Sequence, residues 1–427
     1  MSRHFIQTLG LASELAIVVL AGRAAADVVP GDVITSVNIE KVKDLTSPGM
    51  QWIVRNGMKM KIVAPKKITL PPPYVQATEQ YSSQVKLAPD GLSLENWVAG
   101  QPFPTIDPND KDAAKKIMYN YQARWGESDD LDLRNFDADT GTIGHGGEGM
   151  TVERHFLLDH FKRMYFTGRL YVSPKPLYTP NADEAHYKES LHPIIEPFDL
   201  KGTGLTYYRY LDHNRQDNSW LYLPQLRRVR RLSSAQRSDA LFGQDTDVDS
   251  YGGYAGNIAW MDWKFLGQKT ILASMHGEHF PVKWGEGSGD FTYDDTWEKR
   301  DVWVVEGYSK LPQYAYSKRL IYVDKESWVI PYSDIFDQAG QLWKVWVNLY
   351  KMGKAPFEGA PAEGTYDWEM PFLPAIIMVD IQLQHATRAA LPSAQFPGEI
   401  GWRYNKGKES GTVEDFFSIS ALISAGR

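Results

Sequence analysis

The sequence predicts a mainly β, β-rich α+β fold built around an antiparallel sheet, and three observations carry that expectation. Strand-like segments rich in aromatic and β-branched residues succeed one another from Phe156 to Tyr350. The last of them, Tyr316 to Val323, Trp328 to Phe336 and Leu342 to Tyr350, are joined by the short polar connections Asp324-Lys325-Glu326-Ser327 and Gln338-Ala339-Gly340-Gln341, the pattern of a meander. One amphipathic helix precedes them, with Ala113, Ala114, Ile117, Met118 and Tyr121 at helical spacing, suited to closing the open side of a curved sheet.

Taken in order, residues 1–26 read as a secretory signal. Arg3 and His4 begin it, Leu15 to Gly22 is its apolar core, and Ala24-Ala25-Ala26 offers small residues for cleavage; Glu14 interrupts the apolar run. The run is too short to span a bilayer. Residues 27–105 are expected to form an N-terminal extension wrapped over the main body. Within it Val33, Val37, Val42 and Leu45 are spaced loosely like a helix, and Pro71-Pro72-Pro73 predicts a stiff polyproline segment. Residues 106–427 form the β-rich body with a C-terminal tail. Asp107-Pro108-Asn109-Asp110 starts the helix, which runs to about Arg124. The glycine-rich loop Gly141 to Gly149 lacks the Lys-Ser/Thr ending of a phosphate-binding loop. Further strand candidates are Phe156 to Val172, Leu205 to Leu211, Ser219 to Leu223, Arg228 to Leu232, Lys264 to Ala273 and Val302 to Ser309, while Ala375 to Leu383 suits a helix or a strand.

Asn218 to Gly267 is the most distinctive stretch. Trp220-Leu221-Tyr222-Leu223 suits a half-buried strand that Pro224 ends. Arg227, Arg228, Arg230 and Arg231 then place cations on both faces of a strand, which only an exposed or partner-facing strand tolerates. Ser233 and Ser234 are placed to cap a short helix to about Leu241, ended by Gly243. Asp245, Asp247 and Asp249 lead into Tyr251-Gly252-Gly253-Tyr254, and Trp260, Trp263 and Phe265 follow. This order resembles a family of Gram-negative periplasmic proteins of unknown function related to outer-membrane lipoprotein-sorting proteins, with the LolA/LolB-like fold. Matching blocks are Pro71-Pro72-Pro73-Tyr74 through Ala77-Thr78-Glu79 to Gln84-Val85-Lys86-Leu87, and Ala99-Gly100-Gln101-Pro102-Phe103-Pro104. The resemblance implies an incomplete antiparallel β-barrel with helices packed on its concave side. It also implies a place in the periplasm beside an envelope transport system, with an inner-membrane permease of the RND superfamily and an outer-membrane protein as partners.

Composition narrows the function. With no cysteine the chain has no disulfide, thiolate metal site, cysteine nucleophile or lipid-carrying cysteine, so membrane contact is expected to be non-covalent. A formal net charge of -7 argues against a general nucleic-acid binder. Fourteen tryptophans and 23 tyrosines supply large amphipathic contact area.

No catalytic motif stands out, and the chain is expected to be no enzyme. Gly287-Ser288-Gly289 lacks the flanking glycines of a nucleophile elbow, and acids such as Asp294-Asp295 are too numerous to single out a pair. The Asp245 loop has Ser250 and Gly256 where a calcium loop wants Gly and Glu, so it reads as a solvated acidic loop beside the arginines. His276 and His279 with Glu278, and His186 and His192 with Glu189, lack a zinc signature and read as scattered surface histidines. No metal or cofactor is expected. The arginines are either an edge guarded by charge or a docking patch for an acidic partner or lipid head groups. Tyr222, Trp260, Trp263, Phe265, Trp343 and Trp346 are expected to supply an apolar cavity under the helix of Ile117 and Tyr121. The function that follows is carriage of a lipid, acyl or sterol-like molecule; the alternative is a glycan-binding protein or glycan-active enzyme of the cell envelope.

Overall fold

Alternating side chains and short polar turns build the strands, and one curved, mainly antiparallel sheet collects most of them. The computed structural model describes residues 28–427 apart from 128, 146–147, 234–235 and 312; the expected leader, residues 1–26, lies outside the described residues. Among these residues the main sheet has 17 strands. Its curved wall is β1 (Asp130–Ile143), β2 (Met150–Tyr165), β3 (Ala185–Leu191), β4 (Gly204–Tyr210), β5 (Asn218–Leu223) and β6 (Arg228–Leu232), then β7 (Met261–Ala273), β8 (Thr296–Ser309), β9 (Lys318–Asp324), β10 (Tyr332–Phe336), β11 (Leu342–Gly353), β12 (Met370–Asp380) and β13 (His385–Ala390).

Each strand pairs antiparallel with the next from β1 to β6 and again from β7 to β13, and β13 pairs with β1. No pairing joins β6 to β7 among the described residues. The molecule is therefore an incomplete antiparallel β-barrel whose seam lies between those two strands. Closing a sheet removes its edges, and here two remain. One is the arginine strand.

The strands at residues 130–143, 185–191 and 385–390 are additions to the sequence expectation, and Ala375 to Leu383 resolves as the strand β12. Two local expectations are corrected. Pro72 and Pro73 open the helix α2 (Pro72–Tyr81), where the missing N–H groups have no intrahelical partner to lose. Of the short helix expected after Ser233, the Ser234 cap lies outside the described residues, and residues 237–239 form turns and a bend, with Arg237 and Ser238 buried.

Helix α3 (Ala113–Gln122) packs on the concave side. Ile117 and Met118 meet Val305 of β8 and Ile321 of β9, which share a face with Ser333 and Trp346 through the cross-strand register. Helix α1 (Pro48–Arg55) takes the opposite, convex face. Its Gly49 lies so close to β11 that an added Cβ would stand 2.2 Å from Val345 Cγ2, so any larger residue would push the helix off the sheet. Val33–Ile34 and Met60–Ile62 pair, and the latter adds parallel to the start of β8. The C-terminal helix α4 (Ile419–Ala425) ends against Tyr222.

Candidate functional site

The concave side encloses a cavity of ≈ 1520 Å³, its opening to solvent included. Register builds its apolar wall. Leu133 of β1 faces Phe161 of β2, and Phe136 faces Leu158. Leu133 and Phe136 have opposite parity yet both line the cavity, and Asn135 between them holds a left-handed φ of 54°. Trp346 of β11, Ile376 of β12 and Trp402 close the far side, and Tyr121 of α3 closes the top.

A second surface comes from the connection between β6 and β7. It folds inward across the concave side and contributes Leu241, Phe242, Tyr251, Tyr254 and Ile258 to the lining. Buried charge fixes it there. Arg237 donates from Nε to Asp249 at 2.6 Å and reaches Asp217 at 2.5 Å, and Arg209 makes two further bonds to Asp217 from its Nε. Asp247 accepts from Ser250 Oγ and from the Tyr316 hydroxyl at 2.7 Å, with Arg319 at 3.7 Å; burial pushes its carboxyl upward. Asp245 meets His385 Nδ1 at 2.8 Å, and this bond is the main cause that raises the His385 imidazole. The three aspartates are thus not a solvated loop beside the arginine strand. They are buried, and their oxygens are taken by Arg237, Arg319 and His385 with nearby hydroxyls.

The polar end of the cavity lies on β2, β3 and β4, where three inward rows follow one another. Phe161, Leu191 and Leu205 form an apolar row; Arg163, Glu189 and Tyr207 the next; Tyr165, Tyr187 and Arg209 the third. Arg163 is bound to Glu189 at 2.5 Å. Both guanidinium groups lie against the Tyr187 ring, at 5.2 and 5.4 Å from its centroid. His186 beside them is held neutral: burial first, then Arg209 and Arg163, bring its pKa down to about 3. His186 and His192 are therefore buried, not surface, residues.

Of the six residues expected at a cavity, only Trp346 lines it, with its indole N–H bound to Asn348 Oδ1 at 2.8 Å. Trp260 is buried between guanidinium groups, 5.1 Å from Arg209 and 4.8 Å from Arg237, and serves the ionic anchor instead. Trp263 and Phe265 face inward but spend their area on the cluster of α3. The Trp263 ring occupies space left by Gly307 opposite it. Trp343 meets the Tyr316 ring edge to face and donates to Asp380 at 2.7 Å, and Tyr222 packs under α4. Leu133, Phe136, Leu158, Phe161 and Trp402 carry the lining and were missed; for Leu133 and Phe136 an acidic strand with shifted parity hides the apolar face.

Arg228, Arg230 and Arg231 are exposed on the edge strand β6, and Arg227 precedes it in a left-handed turn with φ 49°. Asp137, Asp139 and His155 have ligand-type atoms within 4.8 Å of one another, but Arg388 already holds Asp139 at 2.9 Å and Ser393 bonds Asp137. No helix among the described residues is long and apolar enough to cross a membrane.

Residues 33–422 match the family described as "Protein of unknown function (DUF1329)". Uncharacterized protein PA3922 of Pseudomonas aeruginosa is 26% identical over 363 residues, 82% of this chain and 72% of that protein. Among solved structures, a DUF1329 family protein from Desulfovibrio piger aligns with a TM-score of 0.48 at 14% identity, over 73% of this chain and 98% of that one. A domain from Vibrio parahaemolyticus bearing the name of an outer membrane lipoprotein-sorting protein gives 0.47 at 16%, over 72% and 97%. LolA superfamily protein NE2245 from Nitrosomonas europaea gives 0.39 at 14%, over 72% and 98%.

Proposed function

The chain belongs to the DUF1329 family of proteins of unknown function, and from that premise we propose that it is a non-catalytic periplasmic carrier of a hydrophobic molecule. The observation that carries this reading is the cavity on the concave side, walled by Leu133, Phe136, Leu158, Phe161, Ile376 and Trp346 and left open by an unclosed barrel. Each methylene moved from water into such a wall is worth roughly 0.8 kcal/mol, so a long chain is retained without a specific polar contact. Among the described residues that line it there is no Ser, Thr, Lys, His, Asp or Glu to serve as nucleophile or as a paired general acid and base. Partners in this reading are an RND-superfamily inner-membrane permease and an outer-membrane protein, and the exposed Arg227, Arg228, Arg230 and Arg231 form the docking edge for an acidic surface.

The test is native mass spectrometry of protein recovered from periplasm, followed by organic extraction. The expected result is a lipid, acyl or sterol-like molecule bound one to one. Recovery from the cytoplasm alone, or a protein that takes up no apolar probe, overturns the reading.

A further inference from the structure

Resting on the carrier reading, we propose that the cargo is an amphiphile with an anionic head, seated at Arg124, Arg163 and Arg209 with its apolar body along Phe161, Leu158 and Leu133. The charged side chains that line the cavity are these three arginines; no Asp, Glu or Lys lines it among the described residues. Arg163 and Arg209 also serve the fold through Glu189 and Asp217, but a purely apolar cargo would make no use of three guanidinium groups facing it in an otherwise oily wall.

Two of the counter-charges stand away from the lining. Glu189 holds Arg163, and Asp217 holds Arg209, yet neither carboxylate lines the cavity. Arg209 commits Nε and Nη2 to Asp217 and the Ala255 carbonyl, and its Nη1 has no acceptor among the described residues. Arg124 stands at the end of α3, 4.5 Å over the Tyr121 ring, and also borders the small adjoining recess with Tyr165 and His186. One row further along β2, β3 and β4 the wall is Phe161, Leu191 and Leu205, so head and body sites are contiguous. A carboxylate and a phosphate share the needed chemistry, planar or tetrahedral oxygens accepting from a guanidinium fork.

Dodecanoate, dodecyl phosphate and dodecanol, matched in chain length, separate the possibilities by titration calorimetry on the full mature chain at neutral pH. Either anion is expected to bind at least roughly tenfold tighter than the alcohol, the margin of one charge-assisted contact. The stronger of the two anions tells a fatty acid from a phosphate-bearing lipid. Arg124→Gln combined with the neutral pair swap Arg163→Met and Glu189→Met should erase most of that margin while the alcohol binds as before; thermal unfolding verifies the fold. Equal binding of alcohol and anions overturns the anionic head and leaves the carrier reading standing. A preference that survives the combined variant puts the head elsewhere and also overturns it. Failure of all three ligands removes the carrier reading itself.

Discussion

The Ser47 hydroxyl donates to the Asp334 carboxylate at 2.7 Å, joining the cap of α1 to strand β10 across 287 residues of chain. The Gly49 N–H adds a second bond at 3.2 Å. This fully buried carboxyl fastens the N-terminal segment to the convex face.

A pH dependence follows. Burial lifts Asp334 from 3.8 to about 6 against the opposing pull of Ser47 and Gly49. The native state therefore holds this proton more tightly than the unfolded chain. Its contribution is fully present below the unfolded value, declines as pH rises to about 6, and is flat above. Asp334→Asn removes the titration, so relative to the variant the wild type should lose on the order of 2–3 kcal/mol between pH 4 and pH 7. Urea unfolding of both proteins across that range checks it; parallel curves would show that Asp334 ionises freely.

The inward connection depends on Arg237. Replacing it by alanine leaves Asp217 and Asp249 buried with one cation fewer, which costs about 3–5 kcal/mol in comparable buried pairs. Limited proteolysis should then cut near Leu241 and Phe242 before any strand of the wall is lost. Cleavage no faster than in the wild type would mean that packing of Tyr251 and Tyr254, not charge, holds the connection.

How much of this was legible in the sequence differs by element. The meander from Lys318 to Gly353 was, because its alternation is regular and its turns are short. Strand β1 was not: Asp130, Asp132, Asp137 and Asp139 give it the composition of a loop, and the shift at Asn135 breaks the period between Leu133 and Phe136. The fate of the aspartate loop was hidden for another reason. Two of its partners, Arg319 and His385, lie 69 or more residues away, and no local pattern announces them. Trp346 was foreseen and Trp402 was not, since only the closure of β13 on β1 brings the tail back to the wall.

The arginine strand is exposed, so Arg228→Glu with Arg230→Glu should change stability by no more than about 0.5 kcal/mol. Transport in cells should be lost while ligand uptake by the purified protein persists. A variant that unfolds instead would make these residues structural and end the docking proposal.

Chelation should leave thermal unfolding unchanged. The oxygens of Asp245, Asp247 and Asp249 that an ion would need are bound by Arg237, Tyr316, Ser250 and His385. A fall in Tm with EDTA that calcium restores would require those bonds to open for a cation.

The last prediction tests the cavity through its own reporters. Among fourteen tryptophans, Trp346 and Trp402 line it, whereas Trp263 and Trp343 do not. An apolar probe that enters should therefore change the emission of those two indoles and leave the others nearly still. Trp346→Phe with Trp402→Phe should abolish the change on binding a fluorescent fatty acid, while probe affinity falls only modestly because phenylalanine keeps most of the apolar surface. Trp263→Phe with Trp343→Phe should keep it. Soluble oligosaccharide should not compete, since a sugar needs an exposed aromatic platform and Trp346 is fully buried behind Tyr251. If the signal instead followed Trp263 and Trp343, the probe would be sitting against α3 and Tyr316, and the concave cavity would not be the binding site.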